Sequence, residues 1–188
     1  MTQRRVESYD EHRLVELARD GDRAAFGALV AMHQHEVFTL AVRLVRNPTL
    51  AADVAQEAFI RAYRSIQSFR GDAAFSTWLH RITVNTAWTQ IDRAKRKRAA
   101  PLGEAPDVRD VSGDGDPETA VEAAVLRRRL VNAVEQLPDN QRVVVVLKDV
   151  HGWSHAEIAA ELSITVTATK VRLHRAHQRL RSLLGGHE

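Results

Sequence analysis

Five basic side chains near the end of the chain have the chemistry and the spacing to contact nucleic acid. They follow a Ser-Ile-Thr turn, and no acidic residue occurs between Glu161 and Glu188. Guanidinium and ammonium groups donate hydrogen bonds to phosphate oxygens and to guanine edges, whereas an ordinary solvated helix mixes both charge signs in i,i+4 pairs. The pattern therefore favours DNA binding over a solvated helix. The five residues are Lys170, Arg172, Arg175, Arg179 and Arg181.

Two helices must position these side chains. Ser154 and Glu157 have the spacing of a capping box at the start of a short helix, and Ser163 or Thr165 can cap the helix that follows. A short helix, a tight turn and a basic second helix are typical of a helix-turn-helix. Val171 is unexpected on a solvated face, but thymine methyl groups in a major groove would contact it. On the second helix Thr169, Leu173, Ala176 and Leu180 form one packed stripe, and Thr167, Val171, His174, Arg175 and Gln178 lie opposite it.

A helix predicted over residues 50–69 has a second unusual surface. Residues 53–66 place apolar side chains on one side, and Ile60 lies at the centre of the opposite, charged side. A single exposed isoleucine usually has no special role, although a partner protein could bind it. Both interpretations stay open on the residues alone. The charged side consists of Asp53, Gln56, Glu57, Ile60 and Arg64.

The next predicted helix, from about Ser76 to Arg98, is apolar on two sides, with Arg81, Asn85 and Asp92 on a strip between them. Its basic end, RAKRKR, suits phosphate contacts, but cations are also favoured at any helix C-terminus by the dipole. The preceding loop, FRGDAAF over residues 69–75, holds two aromatic residues and a glycine. This loop could form a binding site or could simply connect the two helices.

A change in composition divides the chain. Residues 99–118 hold three of the five prolines, three glycines and six acidic residues against one arginine, and they show no helical or alternating period. We predict a flexible acidic linker there. Both flanks are basic, with 16 Lys and Arg against 11 acidic residues before the linker and 10 against 7 after it. The sequence therefore predicts a first domain over residues 1–98 and a second over residues 119–188.

Both domains are predicted to be helical. In the second, the patterns favour helices over residues 119–136, 138–150, 154–162 and 165–184. The four valines 143–146 favour a strand by propensity, but Pro138 followed by Asp139 is typical of a first helical turn. The expected fold class is all-α, with two small helical domains joined by a flexible acidic linker and a helix-turn-helix in the second.

Composition excludes several classes of protein. The absence of cysteine excludes disulfides and thiolate metal sites. No apolar run approaches the roughly 18 residues of a membrane span, and the N-terminal segment has no apolar signal-peptide core. We therefore expect a cytoplasmic protein with no membrane insertion of its own.

Nine histidines leave a metal-dependent enzyme as one alternative. His151 and His155 lie on either side of a glycine and a helix start, so they are not expected to share a face, and no acid-rich cluster joins the histidines into a ligand set. We predict no catalytic residues, no metal and no cofactor. The pairs considered are His33/His35, His151/His155 and His174/His177.

These features together resemble the extracytoplasmic-function (ECF) sigma factors, group 4 of the sigma-70 family, which are promoter-specificity subunits of bacterial RNA polymerase. The resemblance extends from about Leu14 to Leu184. It rests on DVAQEAFIRAYRSIQSFRGDAAFSTWLHRITVNTA, LPDNQRVVVVLKDVHGWSHAEIAAEL and VRLHRA, in that order. It implies a region 2 domain, a region 4 domain, a role in a stress response and no enzymatic activity. The implied partners are core RNA polymerase, promoter DNA and an anti-sigma factor.

The resemblance also implies three sets of site residues. One set binds the clamp helices of the largest polymerase subunit, one captures a flipped base of the −10 element, and one recognises the −35 element in the major groove. The polymerase-binding set is Asp53, Gln56, Glu57 and Ile60; the −10 set is Phe69, Arg70, Asp72, Phe75, Arg81, Asn85, Arg93 and Arg96; the −35 set is Thr167, Ala168, Lys170, Val171, Arg172, His174, Arg175 and Arg179.

The start of the last helix departs from the family pattern. Many relatives have Gly-Thr-Val followed by a Lys/Arg-Ser pair, whereas this chain has TATKV over residues 167–171. We therefore expect an unusual −35 preference. A second alternative is a one-site transcription regulator, which would bind promoter DNA without polymerase.

Overall fold

The computed structural model describes residues 11–98 and 119–185, so the predicted linker over residues 99–118 lies outside the described residues. Within those two ranges the chain forms eight α-helices and two short helical segments, with no strand. The all-α fold class is therefore confirmed. The described residues form two compact units, one comprising residues 11–42 and 48–92, the other comprising residues 43–47, 93–98 and 119–185.

The two helices predicted in the N-terminal half, over residues 50–69 and from about Ser76 to Arg98, are present close to those bounds. Asp22 caps the second helix, because its Oδ1 accepts hydrogen bonds from the backbone N–H groups of Ala24 at 2.7 Å and Ala25 at 3.1 Å. Leu29 of that helix and Leu79 of the fourth are fully buried in the shared core. The elements are α1 (Glu11–Arg19), α2 (Arg23–Val45), α3 (Pro48–Ser65), a 3-10 turn (Ile66–Ser68) and α4 (Phe75–Arg98).

The C-terminal half contains the valine run in a helix, as predicted. Val143–Val146 are all buried, and burial of these β-branched side chains outweighs their strand propensity. The helix then widens into a π-helical segment before the turn at Gly152. The elements are α5 (Thr119–Glu135), α6 (Asp139–Val145), the π-helical segment (Val146–Val150), α7 (His155–Glu161) and α8 (Val166–Leu184).

A buried arginine stabilises the start of α6. Arg142 is 1% exposed, and its guanidinium donates to the Leu137 carbonyl at 3.2 Å and to the Asp139 carboxylate at 2.7 Å. Burial lowers the pKa of Arg142, and the hydrogen bond to Asp139 opposes that shift. The contact between Arg142 and Asp139 lies within the first turn of α6 and stabilises that turn.

The helix-turn-helix has the predicted capping. Ser154 Oγ accepts from the Glu157 N–H at 3.2 Å, and the Glu157 carboxylate accepts from the Ser154 N–H at 2.9 Å. Of the two candidate caps for α8, Thr165 is the one observed, since its Oγ1 accepts from the Ala168 N–H at 3.0 Å. Ser163 lies in the turn with a φ of 53°. The predicted stripe of Thr169, Leu173, Ala176 and Leu180 is buried.

Removing the Ser154 hydroxyl tests how much this cap stabilises the domain. Ser154→Ala is expected to lower the free energy of unfolding by about 1 kcal/mol, because the Glu157 backbone N–H loses its side-chain acceptor. Urea denaturation followed by circular dichroism measures the change. Ser182→Ala, at an exposed serine in the last turn of α8, is the matched control and should change stability by less than about 0.5 kcal/mol. Equal effects of both substitutions would contradict the role of the cap.

Candidate functional site

The outward face of α8 presents cations around an exposed valine. Val171 is 42% exposed on the side opposite the buried stripe. Lys170, Arg175 and Arg179 are exposed, and none of them forms an ion pair with another residue in the ranges described. Their charges are therefore available to an anion. The exposed residues of this face are Thr167, Lys170, Val171, His174, Arg175, Gln178, Arg179 and Arg181.

Two predicted residues of the −35 set are less accessible than the rest. Ala168 is half-buried, and its N–H is engaged by the Thr165 cap. Arg172 is also half-buried, and its Nη1 is buried without a hydrogen-bond partner among the described residues. These two positions lie at the edge of the exposed face, so any contact they make with a ligand would be peripheral.

A contact across the second unit fixes one flank of α8. His177 Nε2 lies 2.7 Å from Asp149 Oδ2 of the π-helical segment, and α6 and α7 pack against α8 as well. The helix is therefore held on its inner side and on this flank, which leaves the cationic face free. His177 belongs to this contact and not to a pair with His174.

The charged side of α3 is exposed as the sequence predicts. Ile60 is 37% exposed, with Asp53 and Gln56 also exposed on the same side. Glu57 is half-buried, and its Oε1 accepts from Arg61 Nε at 2.7 Å, one helical turn away. The opposite side of α3 is buried in the core. The helix thus offers an isoleucine framed by acidic and amide groups.

The 69–75 loop is exposed in its middle and buried at both ends. Residues 70–74 are exposed, and Gly71 has a φ of 79°, which an L side chain rarely adopts. Phe69 and Phe75 are buried, and their rings pack edge to face at 5.9 Å. Trp78 of α4 packs against both rings, at 5.1 Å from Phe69 and 5.6 Å from Phe75. Phe69, Phe75 and Trp78 therefore form a packed aromatic cluster beneath the loop, which we call the aromatic base.

An open cleft of about 210 Å³ lies beside this loop. It is bounded by residues 68–73 together with Trp78 and Arg81. Trp78 was not among the predicted site residues, although it lines this cleft. Arg81, Asn85, Arg93 and Arg96 of the predicted −10 set are exposed on α4. Phe69 and Phe75 lie beneath the loop, and their contact with DNA stays a prediction.

A polar cluster of two buried histidines and two partly exposed glutamates joins α1, α2 and α4, and the sequence did not reveal it. His33 Nε2 lies 3.2 Å from Glu11 Oε1, and His33 Nδ1 lies 3.8 Å from Glu36 Oε2. His80 Nε2 lies 3.1 Å from Glu36 Oε1. We call these four residues the histidine–glutamate cluster. Burial lowers the pKa of His80, and the neighbouring His33 acts in the same direction while Glu36 opposes both.

The histidines do not form a metal site within residues 11–98 and 119–185, where no group of three or more His, Cys, Asp or Glu side chains has the arrangement to hold an ion. His33 faces glutamates and not His35. No helix in the same two ranges combines the length and the apolar character needed to cross a membrane.

The chain is similar to known sigma factors over most of its length. The family descriptions Sigma-70 region 2 and Sigma-70, region 4 match residues 29–97 and 127–180. The RNA polymerase sigma-H factor of Pseudomonas aeruginosa is 36% identical over 174 residues, covering 89% of this chain and 90% of the relative. The ECF RNA polymerase sigma-E factor of Escherichia coli K12 is 37% identical over 171 residues, covering 88% and 89%.

A solved structure supports the same assignment. CnrH, in complex with the cytosolic domain of CnrY, has a TM-score of 0.58 and 26% identity, and the match covers 95% of this chain and 99% of that one. Both conserved regions are present in their usual order. The chain therefore belongs to the ECF sigma factors of the sigma-70 family, and it binds core RNA polymerase and directs promoter-specific initiation at −10 and −35 elements.

Proposed function

We propose that the outward face of α8 recognises the −35 element in the major groove. The observation that supports this is the exposed Val171 surrounded by cations that have no ion-pair partner among the described residues. Arg175 lies at the centre of the face, where a guanidinium can donate two hydrogen bonds to a guanine edge. Arg179 lies one turn further on and is assigned to phosphate. Lys170, His174 and Thr167 complete the contact.

The exposed side of α3 is the proposed surface for core RNA polymerase. An isoleucine framed by Asp53, Gln56 and Glu57 combines an apolar anchor with polar groups that select a complementary surface. The ion pair between Glu57 and Arg61 orients the glutamate along the helix. The clamp helices of the largest subunit are the proposed partner.

The 69–75 loop and its cleft are the proposed site for an unpaired base of the −10 element. Base capture requires an open pocket with hydrogen-bonding groups and an aromatic surface. The cleft offers Arg70, Asp72 and Arg81 at its edge and Trp78 in its wall. The exposed α4 residues Asn85, Arg93 and Arg96 are proposed to follow the adjoining strand and its phosphates.

The domain boundaries follow from these assignments. We take residues 1–98 as the region 2 domain, residues 119–188 as the region 4 domain and residues 99–118 as the tether between them, with the family matches at 29–97 and 127–180 in support. The tether lets one chain contact two DNA elements at once and raises the effective concentration of the second contact. The chain is assigned to group 4, to the cytoplasm and to a non-enzymatic role.

A regulatory partner is also proposed. The solved relative CnrH forms a complex with the cytosolic domain of CnrY. We assign this chain a protein partner as well, an anti-sigma factor that holds the sigma factor away from core polymerase until a signal releases it.

Promoter binding with and without core polymerase tests the proposed function against a one-site regulator. The chain alone is expected to bind a promoter fragment weakly, and addition of core polymerase should produce specific binding and run-off transcripts. Equal promoter affinity in both conditions, with no transcript, would favour the one-site regulator.

A further inference from the structure

The base of the 69–75 loop connects directly to the histidine–glutamate cluster. Phe75 ends the loop and begins α4, and its ring lies 5.4 Å from the His33 ring, centroid to centroid. Phe75 also packs against Phe69, at the other end of the loop, and against Trp78 in the cleft wall. His33 therefore stands directly behind the aromatic base, while the exposed middle of the loop faces solvent.

The cluster holds His33 by both ring nitrogens. Glu11 of α1 approaches Nε2 at 3.2 Å, and Glu36 of α2 approaches Nδ1 at 3.8 Å. The two carboxylates lie at opposite ring nitrogens and therefore fix the orientation of the His33 ring.

The titratable groups that face His33 come from all three helices of the cluster. They are Glu11 on α1, Glu36 on α2 and His80 on α4. Burial lowers the pKa of His80, which favours a neutral ring that donates its Nε2 proton to Glu36 at 3.1 Å. Glu36 therefore contacts both histidines and links α2 to α4 behind the loop.

We propose that His33 and Glu36 are positioning residues for the 69–75 loop, fixing its aromatic base so that the cleft receives the unpaired −10 base. The inference rests on the proposed assignment of the loop to the −10 element. His33 at 8% exposure and His80 at 9% are too buried to contact DNA themselves. The effect of His33 and Glu36 on promoter binding is therefore indirect and acts through the contact between His33 and Phe75.

Binding of single-stranded DNA to reconstituted holoenzyme tests the proposal. The probe is a fluorescein-labelled strand carrying the −10 sequence that wild-type holoenzyme selects from a randomised pool, and the reference is a strand of equal length without that sequence. Glu36→Gln removes the charge with little change in size, and His33→Phe keeps a ring against Phe75 but removes both nitrogens. Each is expected to weaken binding of the −10 strand about tenfold. Binding to the reference strand and to a −35 duplex should not change.

Thermal unfolding of each variant chain adds a readout that separates positioning from loss of stability. Glu36→Gln and His33→Phe are expected to weaken binding of the −10 strand at a temperature at which both variants are fully folded. Glu16→Gln, at an exposed α1 glutamate that pairs with the exposed His12 and Arg13, is the matched control and should retain the affinity.

Asp72→Ala separates failure of this inference from failure of the loop assignment. If Asp72→Ala weakens binding of the −10 strand while Glu36→Gln and His33→Phe bind it as wild type does, the loop assignment stands and the inference is wrong. If none of the three affects that binding, both are wrong. Equal losses on the −10 strand and the −35 duplex would also overturn the inference. Should Glu36→Gln fail to fold by circular dichroism, His33→Phe decides the result.

Discussion

Ile60→Asp is expected to abolish co-elution of the chain with core RNA polymerase. Ile60 is 37% exposed at the centre of the α3 face, and a carboxylate buried at the centre of an apolar contact has no partner there. Central anchor residues commonly account for most of the binding free energy of an interface. We expect at least a hundredfold loss of affinity, roughly 3 kcal/mol, with the helical circular dichroism spectrum unchanged.

Met32→Asp is the matched control for this experiment. Met32 is 49% exposed in the same unit but lies on α2, outside the proposed surface. It should leave polymerase binding within about twofold of wild type. Glu57→Lys is less suitable as the first test, because Glu57 pairs with Arg61 at 2.7 Å and the new lysine would repel that arginine within α3. Co-elution of Ile60→Asp at wild-type strength would contradict the assignment of α3.

Arg175→Ala and Arg179→Ala are expected to change promoter binding in different ways, the first at one base pair and the second at all sequences. Loss of Arg175 should cost about 1–3 kcal/mol and relax the preference at one base pair of the −35 element, because its guanidinium is assigned to a base edge. Loss of Arg179 should weaken all promoter sequences about equally and reduce the salt dependence of binding, because that residue is assigned to phosphate. Open-complex formation by mutant holoenzymes on single-base promoter variants, at two salt concentrations, measures both.

Two outcomes would contradict this division of roles. A uniform loss across all −35 variants for Arg175→Ala would reassign that residue to phosphate. No effect of either substitution would mean that the cationic face of α8 is only a solvated surface. Gln178→Ala, an exposed residue of the same face without charge, shows how much a simple truncation there costs.

The local elements of the fold could be predicted because their causes are local. The capping box of Ser154 and Glu157 and the buried stripe of α8 depend on residues within one or a few helical turns. The exposed position of Ile60 follows from helical periodicity in the same way. Recognition of the family came from three such segments in order.

The contacts that the sequence did not reveal are long-range. His33 and Glu11 are 22 residues apart, and the path from His33 through Phe75 to the loop exists only once α1, α2 and α4 are packed. The burial of Phe69 and Phe75 has the same origin, since loop aromatics can equally face a ligand or the core. The π-helical segment at Val146–Val150 was likewise not indicated by any local pattern.

Promoter selection by reconstituted holoenzyme tests the central claim most directly. Core polymerase with and without the chain is incubated with promoter DNA randomised over both elements, and opened molecules are sequenced. We predict two enriched blocks at a fixed spacing that depend on the chain, with Arg175→Ala altering only the upstream block and Asp72→Ala only the downstream one. A single block bound by the chain without polymerase, or the same blocks with core polymerase alone, would contradict the account.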